Sequence, residues 1–401
     1  MRRVPPVRIT GPLVAFAPGF GVDLLSQGYT PCSARTQLEL MADASRWMAA
    51  NQLEASELTA TRVDEFLQTR RARGHTHLLS PRGMSPLLEH LRGLGVVDAE
   101  TPLVPVDAVA ELLVDYLRYL IDERGLATST AQRYVSLARL FLAQHATTGE
   151  LHLEDLAARE VSEFVLGECT RRKVGSAKCL VVRLRSLLRF LHVDGRTSSS
   201  LVAAVPSAPS WRLASLPRGI DPSQVARLLA GCDRRTAIGR RDFAILTVLV
   251  RLGLRCCEVA ALELADLDWR AGEIVVRGKG RHVERLPLPV DVGEAIVGWL
   301  RRGRPPCECR QVFTRLIAPH RELVAGSVSS VVISASHQAG LPEVSAHQLR
   351  HTAATQMLRA GADLAEVGQV LRHHSLASTA IYAKVDHTRL SLLAQPWPGA
   401  R

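Results

Sequence analysis

Two reactive residue types are scarce in this chain, and their positions suggest chemistry. The sequence holds only five tyrosines, and Tyr382 is the only one in its last two-thirds. Tyr382 follows closely after two adjacent histidines, His373 and His374. A phenol this close to imidazole groups suggests a nucleophile more than a packing residue.

Lysine is equally scarce, because the 50 basic residues include only four lysines. One of them, Lys279, lies in the turn-like run 278–280, between two glycines. Arginine stays protonated near neutral pH, whereas a protein can lower the pKa of a lysine until it releases a proton. A role in proton transfer is one reason for a lysine at this position, and the alternative is an ordinary hairpin-turn lysine.

Two arginines and a histidine extend the set. Arg255 stands at a predicted helix start, with Glu258 three residues later. His347 and Arg350 are also three residues apart, which places them on one face of a helix. We interpret Glu258 as a buried partner of an arginine or of the backbone, and His351 as a structural residue.

Length, net charge and cysteine content limit the classes of protein and of partner that fit this sequence. The chain has 401 residues, enough for two or three domains, and a net charge of +11, which favours polyanions as partners. The apolar run 11–25 is interrupted by proline, glycine and aspartate, so neither a signal peptide nor a membrane span is predicted. We expect a soluble cytoplasmic protein whose cysteines are thiols. Cys307 and Cys309 lack a second pair at zinc-site spacing, so no metal is expected there.

An internal similarity organises the first half of the chain. Residues 58–67 resemble residues 156–165, and the segment that starts at Gly28 resembles the one that starts at Gly125. Each unit is typical of a turn, a helix start rich in Ser and Thr, a long amphipathic helix and a second helix. We interpret the pair as duplicated helical modules. The alternative is chance similarity between helices of like composition.

The sequence predicts four parts: a helical module at 1–100, a second at 105–200, a Ser/Pro/Ala-rich linker at 201–218, and a final domain at 219–401. The second module ends in a basic helix that suits phosphate contacts, although a solvated helix face is the alternative. The DNA-binding candidates there are Arg171, Arg172, Lys173, Lys178, Arg183 and Arg185.

The elements that must position the reactive residues lie in the final domain. A helix start with a capping pair is predicted at 221–224, followed by helices at 242–252 and 255–264. Lys279 lies in the turn of a predicted β-hairpin, and everything from Val290 onward is predicted to be helical. The fold class is therefore mainly α with a small β-sheet in the final domain.

Taken in order, the reactive residues resemble the motifs of the tyrosine recombinase, or phage integrase, family. Each motif alone is common, but the ordered set is specific: Arg255, Lys279, His347, Arg350, His373 and Tyr382. The resemblance covers about 220–390. The module at 105–200 is similar to the family's SAM-like core-binding domain, while the first hundred residues lie outside the common pattern.

The resemblance implies a role for each residue. Tyr382 would attack a DNA phosphate and form a 3′-phosphotyrosine, while the two arginines bind the non-bridging oxygens. Lys279 would protonate the leaving 5′-oxygen, His347 would act as general base, and His373 would hydrogen-bond the phosphate. His374 competes with His373 for that last role. Neither a metal nor another cofactor is expected.

The same resemblance implies partners. Double-stranded DNA with a specific recombination site, a homo-tetramer in the synaptic complex, and sister recombinases or accessory proteins are expected, but no membrane. The natural setting would be integration or excision of a mobile element. Two alternatives stay open, a type IB topoisomerase and an inactive DNA-binding regulator on the same fold.

Overall fold

The chain folds as two units, and its first hundred residues share a unit with its last two hundred. One unit comprises Met1–Asp98 and Leu213–Arg401, and the other comprises Ala99–Arg212. The computed structural model describes most of both: residues 4–98, 108–147, 150–151, 153–172, 174–207, 219–278, 283–372, 379 and 382.

The N-terminal part of the first unit is a four-helix module. Its helices are α1 (Ala17–Ser26), α2 (Pro31–Ala50), α3 (Ala60–Ala72) and α4 (Pro81–Gly93). Thr30 and Thr59 cap α2 and α3, since each hydroxyl accepts a hydrogen bond from a backbone N–H of the first turn. The core of the module is apolar and includes Phe20, Met41 and Phe66.

The second unit is also helical. Its elements are α5 (Ala108–Arg118), α6 (Thr128–Leu142), the short antiparallel strands β1 (Ala146–Thr147) and β2 (Glu150–Leu151), α7 (Ala158–Thr170) and α8 (Val174–Val193). The predicted linker begins within this unit. Residues Leu201–Ala204 form a 3-10 turn, and Leu201 and Val205 are buried in the unit's core. The first residues of that stretch are therefore packed, because their side chains are apolar.

The two helical modules share local features at the positions that the sequence comparison matched. Gly28 and Gly125 both have positive φ, +91° and +60°, and each lies three residues before the first residue of a helix. The matched apolar positions are buried in both modules: Val63, Phe66, Val161 and Phe164. Duplication stays a prediction, but these positions play the same part in each module.

The C-terminal part of the first unit carries a small sheet among helices. Its elements are α9 (Pro222–Ala230), α10 (Ala237–Leu252), α11 (Cys256–Ala261), β3 (Leu267–Asp268), β4 (Glu273–Arg277), β5 (Val283–Pro287), α12 (Val290–Arg302), α13 (Ala325–Gln338), α14 (Ala346–Arg359) and α15 (Leu364–Val370). The strands are antiparallel in the order β3-β4-β5, with Val275 opposite Arg285. The predicted fold class, capping pair and hairpin are confirmed, while the turn with Lys279 lies outside the described residues.

Two predicted helices have different bounds. α10 begins five residues before the predicted start at 242, because Thr236 caps it and accepts a hydrogen bond from the N–H of Gly239 (3.0 Å). α11 ends at Ala261 because the chain then pairs with a distant segment. The N–H of Val312 donates to the carbonyl of Leu262 (2.8 Å).

The prediction that everything after Val290 is helical is wrong for residues 303–324. This segment is irregular and makes two isolated antiparallel bridges, Glu263 with Gln311 and Thr314 with Glu322. Prolines at 305, 306 and 319 explain the difference, since proline lacks the N–H that a helix interior needs.

Helix α10 is the central helix of the C-terminal part. Eight of its last nine residues are buried, and it packs against both α12 and α14. Trp299 of α12 is fully buried, and its indole N–H donates to the carbonyl of Val312 (2.8 Å). This core fixes the C-terminal end of α10, where the candidate site begins. Among the described residues, no helix combines the length and apolar composition needed to cross a bilayer.

Candidate active site

The junction between α10 and α11 sets the position of Arg255. α10 ends at Gly253, whose φ of +58° favours glycine. A Cβ at this position would lie 2.6 Å from Cδ2 of Leu371, so the buried Leu371 side chain would have to shift to admit a larger residue. The backbone N–H of Arg255, the N-cap of α11, then donates to Oε2 of Glu258 (2.8 Å).

Glu258 is the buried carboxylate of the site, with 1% of its side chain exposed. It accepts hydrogen bonds from Nη1 of Arg255 (2.6 Å) and Nη2 of Arg372 (2.8 Å). Burial acts to raise the pKa of Glu258, but the charge of Arg372 and the hydrogen bonds and charge of Arg255 outweigh it, so the pKa is held below its ordinary value. The interpretation of Glu258 as a buried partner of arginine is confirmed.

Arg372 is a site residue that the sequence analysis missed. It lies just after α15 with a φ of +56°, unusual for a residue with a side chain, and only 4% of its side chain is exposed. Besides the bond to Glu258, it donates to the carbonyl of Val370 (2.9 Å). No short spacing links it to Glu258, since 114 residues separate them. The only local signal was its position immediately before His373.

Helix α14 presents three candidate residues on one face: His347, Arg350 and His351. Ser345 caps this helix, and Gln348 completes a capping box with it. The N–H of Ile220 donates to the hydroxyl of Thr352 (2.8 Å), which connects α14 to the segment before α9. The position of α14 is therefore set by its N-terminal cap and by this hydrogen bond to a neighbouring segment.

Arg350 is buried, with 3% of the residue exposed. Its Nη1 donates to the carbonyl of Gly253 (2.6 Å), and its Nη2 donates to the carbonyl of Leu371. Burial first, and then the charges of Arg255 and Arg372, lower its pKa to about 10, so the group still carries its charge at neutral pH. Each terminal nitrogen keeps a second hydrogen that can bind an anion.

Tyr382 is held beside His351. The phenol oxygen lies 2.7 Å from Nδ1 of His351, and the residue is 1% exposed. Burial raises the pKa of Tyr382 to about 12, although the charge of Arg350 opposes the shift. Burial, followed by His347 and Arg350, lowers the pKa of His351 to about 4. Both groups are therefore neutral at pH 7, and the imidazole can accept the phenol's hydrogen bond.

His347 stacks edge-on against His351, with 4.3 Å between the ring centroids. Burial first, and then the positive charges of Arg350 and Arg255, lower the pKa of His347. The sequence analysis paired the phenol with His347 and treated His351 as structural. In the structure it is His351 that contacts the phenol. Its spacing of four residues from His347, one helical turn, was the signal for a shared face.

The described part of the site holds surplus positive charge. Three arginines, at 255, 350 and 372, interact electrostatically with one another or with the single carboxylate, Glu258. Lys279, His373 and His374 lie outside the described residues, so their roles stay predictions. Among the described residues, no group of three or more His, Cys, Asp or Glu side chains is placed to hold a metal ion.

The basic candidates at the end of α7 are partly engaged within their own unit. Arg171 and Arg172 both pair with Glu168, at 3.7 Å for Arg171 and through Nε at 2.9 Å for Arg172. The Arg171 side chain is nevertheless 79% exposed. Lys173 lies outside the described residues.

The candidates on α8 do not form one stripe. Lys178 and Arg185 are two turns apart on one face, whereas Arg183 points about 140° away at about 100° per residue. Arg183 lies over the ring of Tyr134, 5.9 Å from its centroid. Arg185 donates to the carbonyl of Val205 (2.9 Å). Their role in DNA binding stays a prediction.

Comparison with known proteins places this site in context. The profile described as the Phage integrase family matches residues 218–389. A Sinorhizobium fredii protein provisionally named integrase/recombinase y4rA is 40% identical over 397 residues, covering 97% of this chain and 95% of the relative. Tyrosine recombinase XerD of Mycobacterium tuberculosis is 32% identical over 306 residues, covering 72% of this chain and 96% of the relative.

Solved structures share the fold. The lambda integrase tetramer bound to a Holliday junction superposes with a TM-score of 0.52 at 18% identity, covering 79% of this chain and 87% of that one. At that identity the likeness concerns the fold alone.

Proposed function

Because the chain belongs to the tyrosine recombinase (phage integrase) family, we propose that it is a site-specific DNA recombinase that cuts and rejoins strands through a 3′-phosphotyrosine on Tyr382. Neither ATP nor a metal takes part. The observation that carries this proposal is a cluster of arginines around Glu258, next to which helix α14 brings Arg350 and His351. His351 in turn contacts the hydroxyl of Tyr382. This arrangement joins a nucleophile to a site for a phosphate.

The arginines supply the electrostatic part of catalysis. A phosphodiester gains negative charge on its non-bridging oxygens as the nucleophile attacks, and guanidinium groups bind such oxygens in pairs. Arg255 is one-third exposed, so its guanidinium is open to a substrate. Glu258 and the carbonyl of Gly253 fix Arg255 and Arg350 before DNA binds, so little reorganisation is needed during the reaction.

The nucleophile must change its surroundings before it reacts. A phenol that is 1% exposed and has a raised pKa is protonated and out of reach of a phosphate. Tyr382 therefore leaves its contact with His351 when DNA is bound. His347, which lies near both arginines and is neutral at pH 7, then accepts the phenol proton. Lys279 protonates the 5′-oxygen, and His373 hydrogen-bonds the phosphate.

The covalent intermediate conserves the energy of the phosphodiester, so a second strand can be joined without ATP. We propose that the exchange takes place in the cytoplasm between two duplexes held by a homo-tetramer. The lambda integrase tetramer on a Holliday junction supports this assembly by its shared fold. Integration or excision of a mobile element is the proposed outcome.

A covalent-trapping assay tests the proposal. Purified protein is mixed with nicked duplexes tiled from the DNA that flanks its own gene, and denaturing gels reveal protein–DNA adducts. An adduct is expected with the wild type and not with Tyr382→Phe. Tight binding to one fragment with no adduct would favour the DNA-binding regulator. Efficient relaxation of a supercoiled plasmid that lacks a paired site would favour the topoisomerase.

A further inference from the structure

The N-terminal module is fitted to the irregular segment 303–324 within the same unit. The N–H of His320 donates to the carbonyl of Gln27 (2.9 Å), and Arg321 forms an ion pair with Glu89. Gly28 lies directly against the His320 ring, since a Cβ there would be 2.0 Å from its Cδ2. Such a close approach, made by a residue at a φ of +91°, restricts this position to glycine.

A cleft of about 790 Å³ lies along this contact, and its charged lining is mainly arginine. We call it the arginine cleft and define it by its four arginines: Arg71, Arg82, Arg315 and Arg321. Two come from the N-terminal module and two from the segment 303–324. The only acidic residue in the lining is Glu89, which Arg321 already neutralises.

Two of these arginines are open to a ligand. Among the described residues, neither Arg82 nor Arg315 has a carboxylate within ion-pair distance, whereas Arg321 is paired with Glu89. Arg82 is exposed and Arg315 is half-buried. Burial raises the pKa of Tyr29 in the same lining, and the charges of Arg315 and Arg321 oppose that shift, which shows that both act on one small region.

We propose that the arginine cleft binds the phosphate backbone of duplex DNA outside the catalytic centre. Planar guanidinium groups bind phosphate oxygens in pairs, and four arginines around one cleft, two of them without an ion-pair partner among the described residues, match a phosphodiester better than a flat basic surface does. None of the cleft residues belongs to the cluster around Glu258. The N-terminal module would therefore lengthen the stretch of DNA that the protein holds. This inference rests on the proposed function, because it takes DNA as the ligand.

The salt dependence of DNA binding tests the proposal. The cleft variant is Arg82→Ala with Arg315→Ala, two changes that leave no carboxylate unpaired. The control is Arg8→Ala with Arg73→Ala, which removes the same charge from exposed positions of the same module, outside the cleft, and likewise leaves no described carboxylate unpaired. Affinity for a mixed-sequence duplex is measured by fluorescence anisotropy over a series of KCl concentrations. All proteins carry Tyr382→Phe, so the result does not depend on whether an adduct forms.

Each phosphate contact adds about 0.9 to the steepness of log K against log salt. Loss of two contacts should make the slope of the cleft variant shallower by about 1.8. When KCl rises from about 50 to about 200 mM, the fold-loss of affinity should therefore be about 12 times larger for the parent than for the cleft variant. The control should keep the parent slope. If both double variants give the same slope, the proposal is overturned and an acidic protein segment becomes the better occupant.

Discussion

Replacing Glu258 by glutamine should destabilise the C-terminal part of the protein strongly. The change keeps the side chain's size but removes the one negative charge among three arginines. Removing one partner of a buried ion pair costs about 3–5 kcal/mol, because the other charge stays buried and uncompensated. The charge of Arg372 would stay buried without a counter-charge, since only 4% of its side chain is exposed. Arg255 is one-third exposed, so water would screen its charge. We therefore expect a loss near the lower end, about 3 kcal/mol.

Thermal and urea unfolding, followed by intrinsic tryptophan fluorescence, measure this loss; the fully buried Trp299 is one of the five tryptophans that contribute to the signal. At about 2–4 °C per kcal/mol for a domain of this size, the melting temperature should fall by about 6–12 °C. The matched control is Glu273→Gln, which breaks the exposed pair with Arg285. An exposed pair contributes at most about 1 kcal/mol. Equal, small effects of the two variants would refute the reasoning.

The pH dependence gives an independent check on the same carboxylate. The folded state holds the pKa of Glu258 below its unfolded value, so the charged carboxylate contributes stability above the unfolded pKa, about 4.3. This stability is lost as the pH falls through the folded pKa. The difference in unfolding free energy between wild type and Glu258→Gln should thus be constant near neutral pH and shrink in acid. A difference that grows in acid would contradict the assignment.

Two further predictions concern the packing of the site. Gly253→Ala should lower the free energy of unfolding by at least about 1 kcal/mol more than Gly272→Ala does. Both positions have positive φ, but only a Cβ at Gly253 would meet a neighbouring side chain, Cδ2 of Leu371. Equal melting temperatures of the two variants would contradict this prediction, because they would show that Leu371 moves aside. His351→Ala should cost about 1–3 kcal/mol by removing the acceptor 2.7 Å from the Tyr382 hydroxyl. It should cost less in a Tyr382→Phe background, and additive losses in this double-mutant cycle would contradict a direct bond.

Short-range patterns made much of the site predictable. Arg255 with Glu258, and His347 with Arg350, lie within one helical turn, so spacing alone placed each pair on one face. The β-branched run 274–276, followed by a turn-like segment with glycines at 278 and 280, likewise predicted the β4–β5 hairpin. Such signals are local, because each involves residues of one element, its cap, or two strands that follow each other in the chain.

The features that the sequence did not reveal arise from contacts between distant segments. Arg372 meets Glu258 across 114 residues, and Arg321 meets Glu89 across 232. No periodicity encodes such pairs, because they depend on how the elements pack. The helix predicted across 303–324 is absent for a different, local reason, because the prolines at 305, 306 and 319 lack the N–H that a helix interior needs.

The identity of the nucleophile is tested most directly by mapping the covalent bond. Trapped wild-type adduct is digested with nuclease and trypsin, and the peptides are analysed by mass spectrometry. Cleavage after Arg372 and Lys384 releases the peptide 373–384, which contains Tyr382 as its only tyrosine. We expect this peptide to carry a nucleotide joined to Tyr382 through a 3′-phosphate. A nucleotide on any other residue, or an adduct that persists in Tyr382→Phe, would contradict the account.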